Sequence, residues 1–426
     1  MDTIFALATP QGKSGVSIIR LSGPQAFEIT KKLCPLPPKQ SFAVRRLKDS
    51  HGRILDEALV LVFEQGRSFT GEPTVEFHIH GSVAIYSSVS ERLVEVGARL
   101  ADRGEFSRRA LESGRLDLSQ VEALGDLIES ETESQQRQAL DGFCGSVAKK
   151  VEGWRRDLIQ AAALLEAVID FADEEVPEDV TQDVRILLER VKFEIAGEIA
   201  GFAAAERVRT GFEVAIVGVP NAGKSTLLNA ISGRDVALTS ILEGTTRDVI
   251  EVKMDLHGLA VTLLDTAGIR DTQDPLEKMG IDRAVDRANK ADLRIFIDYD
   301  SGIFGVERAV GDIFITGKGD LFPDETFPVS GKTGLGVDVL LSKLADVLGK
   351  RAQTAGLESH QRQKESLQRG FYDLEAALGL LEGGSNIYDL TAEEIRSALR
   401  SLESLLGHVD VEIVLDEIFS KFCLGK

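Results

Sequence analysis

Cysteine is scarce in this chain of 426 residues: there are three, Cys34, Cys144 and Cys423, and no C-x-x-C spacing joins them. That excludes a disulfide framework and a cysteine-built zinc site, and it points to a reducing compartment. No apolar run of about 18 residues occurs, so no transmembrane helix is expected. The first residues show neither a charged leader nor an apolar h-region, so a cytoplasmic protein away from the membrane is expected. Positive charge is also short. Lys and Arg number 49 against 69 Asp and Glu, a formal net charge of −20. So acidic a chain is not a general nucleic-acid coat, because phosphate binding needs a basic surface. Any RNA contact must be local or supplied by a partner. The bulk composition, 43% hydrophobic and 28% charged, is that of a soluble globular protein. The length suggests about two to four domains.

What the chain does have is Gly218-Val219-Pro220-Asn221-Ala222-Gly223-Lys224-Ser225, which fits the phosphate-loop pattern G-x-x-x-x-G-K-S. Phe212 to Val217 reads as a buried strand before it, and Thr226 to Ile231 as the start of a helix after it. Backbone N–H groups of such a loop cradle phosphate oxygens, and the helix N-terminus adds positive potential. Lys224 is placed to reach the β- and γ-phosphates, and Ser225 to put its hydroxyl on Mg²⁺. Leu263-Leu264-Asp265-Thr266-Ala267-Gly268 is an apolar strand ending in D-x-x-G. Asp265 suits the Mg²⁺ shell, and the Gly268 N–H suits the γ-phosphate. Between them, Glu243-Gly244-Thr245-Thr246-Arg247-Asp248 supplies a threonine, taken as Thr246, to close over Mg²⁺ as switch loops do. Gly317-Lys318-Gly319-Asp320 matches the guanine-reading N-K-x-D with Gly for Asn, and Ser330-Gly331-Lys332 matches S-A-K. Together, in this order, these define a GTPase domain.

Residues 1–116 mix short strands and turns and read as an α+β domain. Strands are expected at Val16–Leu21, Ala58–Phe63 and Val75–His80, and a helix at Ser82–Gly97. Alternation puts Glu76, His78 and His80 on one strand face. No third ligand lies nearby at a zinc spacing, so a pocket wall or solvent face is preferred to a metal. From 117 the period changes. Ser119-Gln120-Val121-Glu122 reads as a capping box opening a long helix, whose pattern continues through Trp154 to Ile169. A further helix fits Val180–Val208. Helices return at Gln361–Leu381 and Ala392–Leu406, the latter with Thr391 read as its cap. These last helices lack an independent core and are expected to pack on the earlier ones. The expected fold is therefore multidomain: the α+β domain, an all-α helical domain of 117–210 and 350–426, and an α/β P-loop GTPase domain of Ras-like type, 211–349, inserted in it. The stretch Tyr299–Asp312 leaves little room for the usual helix.

With these residues in view, the chain resembles the MnmE (TrmE) family of tRNA-modification GTPases over nearly its whole length. The likeness is carried by Ala8-Thr9-Pro10, Arg20-Leu21-Ser22-Gly23, Ser68-Phe69-Thr70-Gly71-Glu72, Gly104-Glu105-Phe106-Ser107, Leu116-Asp117-Leu118, the phosphate loop, Gly244 to Asp248, and the ending Cys423-Leu424-Gly425-Lys426. The resemblance implies an N-terminal domain that binds a one-carbon tetrahydrofolate (5-formyl or 5,10-methylene) and forms a homodimer. It implies folate contacts at Arg20, Glu76, Arg115 and Lys426, with Arg115 standing where many relatives carry Lys. It implies an FAD-carrying partner, MnmG (GidA), in a heterotetramer, with tRNA as substrate. The outcome would be a (carboxymethyl)aminomethyl group at C5 of the wobble uridine.

The implied GTP and GDP contacts are Asn221, Ala222, Gly223, Lys224, Ser225 and Thr226; Ser240, Gly244, Thr245 and Thr246; Asp265, Thr266, Ala267 and Gly268; and Lys318, Asp320, Ser330 and Lys332. Mg²⁺ falls to Ser225 and Thr246, and K⁺ to Asn221, Ser240, Leu242 and Thr245. Glu277 matches the catalytic glutamate, Ile269 standing where other GTPases carry glutamine. Lys224 and Cys423 complete the catalytic set. The competing expectation is a regulatory GTPase of ribosome assembly, which leaves the Cys-Leu-Gly-Lys ending unexplained and predicts no folate binding. A folate-dependent methyltransferase acting alone would need an electron carrier for which no motif stands in the chain.

Overall fold

Strand Thr74–Gly81 alternates in and out of the core: Val75, Phe77 and Ile79 are buried, while Glu76, His78 and His80 face the other way. This alternation builds the first sheet of the computed structural model. The model describes residues 2–38, 40–170, 180–234, 250–265, 275–298, 305–384, 387–407, 418–419 and 425, without the side chains of 250 and 275–281. Two compact units result, Met1–Gly125 with Glu403–Lys426, and Asp126–Leu402.

The first unit contains β1 (Ile4–Leu7), β2 (Ser14–Ser22), α1 (Ala26–Lys31), β3 (Phe42–Lys48), β4 (Ile54–Phe63), β5 (Thr74–Gly81), α2 (Val83–Glu95), β6 (Arg99–Leu100) and α3 (Glu105–Glu112). The sheet order is β3-β4-β5-β2-β1-β6. On one face Ile19, Leu21, Val60, Val62, Val75 and Phe77 bury with Ile29 of α1 and with Val89 and Leu93 of α2. Each such side chain contributes about 1.5–3 kcal/mol by leaving water. The opposite face is set by register: Glu76 pairs with Arg20 on one side and Leu61 on the other, and Phe42 pairs with Leu61. Phe42 and Val44 on this face are 68% and 59% exposed. Gly104 opens α3 at φ +67, where a Cβ would meet the Phe419 ring at 2.7 Å, so both conformation and space require glycine.

The helical run proves to be separate helices, α4 (Leu118–Glu129), α5 (Glu133–Phe143) and α6 (Ser146–Asp170), followed by α7 (Thr181–Thr210). Side-chain periodicity does not register the short breaks, where Thr132 and Gln135 form a capping box and Gly145 turns at φ +81. The expected cap at Ser119 is also corrected. Asp117 caps α4: its Oδ1 accepts from Gln120 N at 2.8 Å and Ser119 Oγ at 2.6 Å, while Gln120 Oε1 accepts from Asp117 N at 3.0 Å. Thr391 is likewise not a cap, since its helix begins earlier, at Tyr388, and Thr391 Oγ1 donates to Ile387 O. The acidic run 173–175 and Pro177 lie outside the described residues.

The nucleotide-type sheet comprises β7 (Phe212–Gly218), β8 (Ile250–Leu256), β9 (Leu259–Asp265), β10 (Leu293–Ile297) and β11 (Ile313–Ile315), in the order β11-β10-β7-β9-β8. All pairings are parallel except β8 with β9. Every residue of β10 is buried, as expected of a strand covered on both faces. Helices α8 (Lys224–Ser232), α9 (Pro275–Lys290) and α10 (Val337–Ala352) belong to this sheet. No helix occurs in 305–312, the described part of the short connection before β11.

Helix α11 (Gln361–Leu381) then packs on α7, with the Lys192 ammonium 4.9 Å from the Phe371 ring and bonded to Glu375. Helix α12 (Tyr388–Glu403) joins them through Tyr388 Oη and Thr181 Oγ1 at 2.7 Å. Among the described residues no helix is long and apolar enough to cross a membrane.

Candidate nucleotide site and N-terminal polar site

Strand β7 delivers the chain into a loop that must turn at once into α8. Asn221 at φ +65 and Gly223 at φ +101 make that turn. Lys224, the first residue of α8, folds back over the loop and donates to Gly218 O at 2.8 Å and Val219 O at 3.1 Å. Burial pushes its pKa down, with Asp265 opposing. Ser225 Oγ donates to Asp265 Oδ2 at 2.8 Å, joining the loop to the end of β9. A hydroxyl and a carboxylate so close form a hard-oxygen pair of the kind Mg²⁺ takes.

A cleft of about 640 Å³ opens over this loop and is closed on the far side by Gly317, Lys318, Asp320, Ser330, Gly331 and Lys332. The structure thus brings together Asn221, Ala222, Gly223, Lys224, Ser225 and Thr226 with Lys318, Asp320, Ser330 and Lys332, residues far apart in the chain. Lys318 and Asp320 are exposed, while Gly317 and Gly319 are buried. Gly317 N donates to Asp298 Oδ1 at 2.9 Å. A Cβ at Gly317 would stand 2.5 Å from Ala222 O, and one at Gly331 2.5 Å from Thr226 O. Both glycines are therefore fitted to the phosphate loop and its helix. Ser240, Leu242, Gly244, Thr245, Thr246, Thr266, Ala267, Gly268, Cys423 and Lys426 lie outside the described residues. Glu277 sits in α9, and its side chain lies outside them too.

On the open face of the first sheet, Arg20 Nε donates to Glu76 Oε1 at 2.9 Å. The guanidinium lies 5.3 Å from the Phe69 ring and 5.7 Å from the Phe106 ring, a cation–π seat. Among the described residues only its Nε is engaged, so the remaining N–H fork suits a carboxylate. Glu76 keeps acceptor capacity for N–H donors. Bonded to one another, the two residues form a single donor–acceptor pair that meets one end of a ligand. Arg115, exposed at the end of α3, lays its stem over Gly71.

Sequence reasoning missed a network gathered around the buried Arg109 guanidinium. Arg109 donates to Asp2 Oδ1 at 2.7 Å, Glu105 Oε1 at 2.9 Å and Glu72 Oε2 at 3.1 Å. Ser22 Oγ donates to Glu72 Oε2, and Thr70 Oγ1 lies 2.7 Å from Ser22 Oγ. Hydrogen bonds from Arg99 and then Arg109 hold the Asp2 carboxyl down at about 2. The signal was present as charges and hydroxyls inside Ser68–Glu72 and Gly104–Arg109, but no local pattern assigns their partners.

A strand, a glycine-bounded loop, a lysine folded over it, a serine paired with the aspartate of a second strand, and a guanine-reading loop define a P-loop GTPase. Residues 3–115 match the model of the GTP-binding protein TrmE N-terminus, and residues 118–423 that of the MnmE helical domain. The tRNA modification GTPase MnmE of Roseobacter denitrificans is 53% identical over 428 residues, covering 100% of both chains. Those of Ruegeria pomeroyi and Cereibacter sphaeroides are each 54% identical, over 428 and 429 residues, again covering 100% of both chains. Among solved structures, the G domain of the T. maritima FeoB iron transporter aligns at 20% identity over 32% of this chain and 98% of that one, with a TM-score of 0.25. The chain belongs to the MnmE family.

Proposed function

We propose that this GTPase works in tRNA modification: with an FAD-carrying MnmG partner it places a (carboxymethyl)aminomethyl group on C5 of the wobble uridine, using a one-carbon tetrahydrofolate. The observation that carries this is the Arg20–Glu76 pair, seated on Phe69 and Phe106 in a chain matched end to end by MnmE relatives.

In the nucleotide site Lys224 turns from the carbonyls of Gly218 and Val219 to the β- and γ-phosphate oxygens. Ser225, with Thr246, holds Mg²⁺, and Asp265 orders its shell. That ion, with K⁺ held by Asn221, Ser240, Leu242 and Thr245, neutralises phosphate charge. Asp320 accepts from guanine N1–H and N2–H₂, whereas adenine N1 would face it as a second acceptor. Ser330 and Lys332 support the base. Gly244, Thr266, Ala267 and Gly268 close around the γ-phosphate, and Glu277 orients the attacking water.

In the N-terminal site Glu76 accepts from the pterin N–H groups and Arg20, bonded to it, donates at that same end, while Arg115 and Lys426 meet the glutamate carboxylates. The bound folate supplies the carbon that is transferred. Cys423, which the family likeness assigns to this site, serves as nucleophile or acid–base group, the thiolate being the reactive form. The exposed Phe42 and Val44 of the edge strand β3 make the homodimer contact. The helical domain, 117–210 with 350–426, carries the inserted GTPase domain, 211–349, and the complex works in the cytoplasm.

Nucleoside analysis of tRNA from a deletion strain tests this. Wobble-uridine modification should vanish, return with the wild-type gene, and stay absent with Cys423→Ser although that protein still hydrolyses GTP. Normal wobble nucleosides in the deletion strain would refute the assignment and favour ribosome assembly, which predicts no folate binding.

A further inference from the structure

His78 stands two residues along β5 from Glu76, on the same face of the sheet. Its Nε2 lies 3.6 Å from Glu76 Oε2, too far for a hydrogen bond. That nitrogen is buried and has no hydrogen-bond partner. An unpartnered buried polar nitrogen is uncommon and calls for an account. Its surroundings narrow the options. Arg20, from β2, is engaged with the other oxygen, Glu76 Oε1. From β4, Leu59 and Leu61 stand opposite His78 and Glu76 and offer no polar group. His80, the next residue on this face, turns its Nδ1 to Asp56 Oδ1 at 2.8 Å. His78 Nε2 is thus the side-chain nitrogen of β5 that faces Glu76 Oε2.

The Glu76 side chain is 16% exposed, so water still reaches it. A ligand laid over Glu76 removes that water. A carboxylate that loses water needs another donor, or its binding is weakened. Neutral imidazole protonated on Nε2 supplies one without changing the charge of the site, and a shift of under about 1 Å brings it to hydrogen-bond distance.

We propose that His78 is a positioning residue of the folate site: its Nε2–H closes onto Glu76 Oε2 when a pterin covers the carboxylate, holding it aimed at the pterin N–H groups. This rests on the folate assignment above. It adds a residue that touches the ligand only through Glu76.

The test is calorimetric titration of the full-length protein with 5-formyltetrahydrofolate, for wild type, His78→Gln and His78→Leu. The glutamine amide reaches as far as Nε2 and can donate, so His78→Gln should bind within about threefold of wild type. His78→Leu keeps bulk without a donor and should bind about tenfold more weakly, one hydrogen bond's worth. In imidazole-¹⁵N-labelled wild type, the His78 Nε2 resonance, identified by its loss in His78→Gln, should move on adding the folate. A leucine variant as tight as wild type, a glutamine variant as weak as leucine, or a static resonance would each overturn the proposal. If His78→Leu fails to fold, the glutamine variant and the resonance decide. A wild type that does not bind the folate would instead defeat the folate assignment itself.

Discussion

The carbonyl of Ala222 lies 2.5 Å from the point where a Cβ on Gly317 would stand, so the guanine-reading loop and the phosphate loop touch backbone to backbone. In the N-K-x-D pattern an asparagine side chain joins these loops. Taken from the motif alone, its loss suggests weaker nucleotide binding, repaired by Gly317→Asn. The contact reverses that expectation, because any side chain at 317 must push the phosphate loop away. Gly317→Ala should weaken GDP binding by about tenfold, the low-to-middle range of overpacking costs of about 1–3 kcal/mol, and Gly317→Asn should bind no tighter than wild type. GDP titration checks both. Preference for GTP over ATP should persist through Asp320, and effective competition by ATP would remove Asp320 from base recognition.

Asn221 holds a left-handed turn at the tip of the phosphate loop, and the chain has no evident arginine finger in cis beyond Arg247. A monovalent cation at Asn221 would supply the missing charge. GTP turnover should be at least about tenfold faster in KCl than in NaCl at equal ionic strength, the scale of one well-placed charge. Equal rates in the two salts would exclude a K⁺ role.

Glu277 lies near the start of α9, in the segment that follows β9. If it orients the attacking water, Glu277→Ala should keep GDP affinity and lose about two orders of magnitude in turnover, as loss of a positioned general base does. Unchanged turnover at saturating GTP would remove it from the mechanism.

Glu358, fully buried after α10, faces Glu198 of α7, which Lys150 of α6 also contacts. Burial, then the Glu198 beside it, push the Glu358 carboxyl up from 4.5 to about 9. Glu198 is held low against the pull of burial by Glu358 and Lys150. A raised acid binds its proton more tightly in the folded state. Its stabilising contribution is therefore complete below pH 4.5 and is lost as pH rises toward 9. Glu358→Gln, neutral at every pH, should nearly match wild type near pH 5 and exceed it by several kcal/mol near pH 8.5, because wild type loses up to about 1.4 kcal/mol for each pH unit above 4.5 by keeping the proton that the unfolded chain releases. Thermal unfolding at both pH values measures this, and parallel curves for the two proteins would contradict it.

Sequence by itself determined what depends on neighbours a few residues away. The phosphate loop, the runs Phe212–Val217 and Leu293–Ile297, the alternation at Val75–His80 and the period of Gln361–Leu381 were all legible, because strand and helix periods and phosphate-loop chemistry are local. Caps were less so: Ser119 and Asp117 are both good capping residues, and only the hydrogen bonds of Gln120 choose between them. Tertiary structure alone decided the rest. Arg20 finds Glu76 across 56 residues because strand register aligns them. Arg109 gathers Asp2, Glu72 and Glu105 because buried charge must be paired wherever its partners lie in the chain. Gly317 reads in the motif as a missing amide. In the fold it is the residue that lets two loops meet, since space between backbones is a property of neighbours that the order of residues does not show.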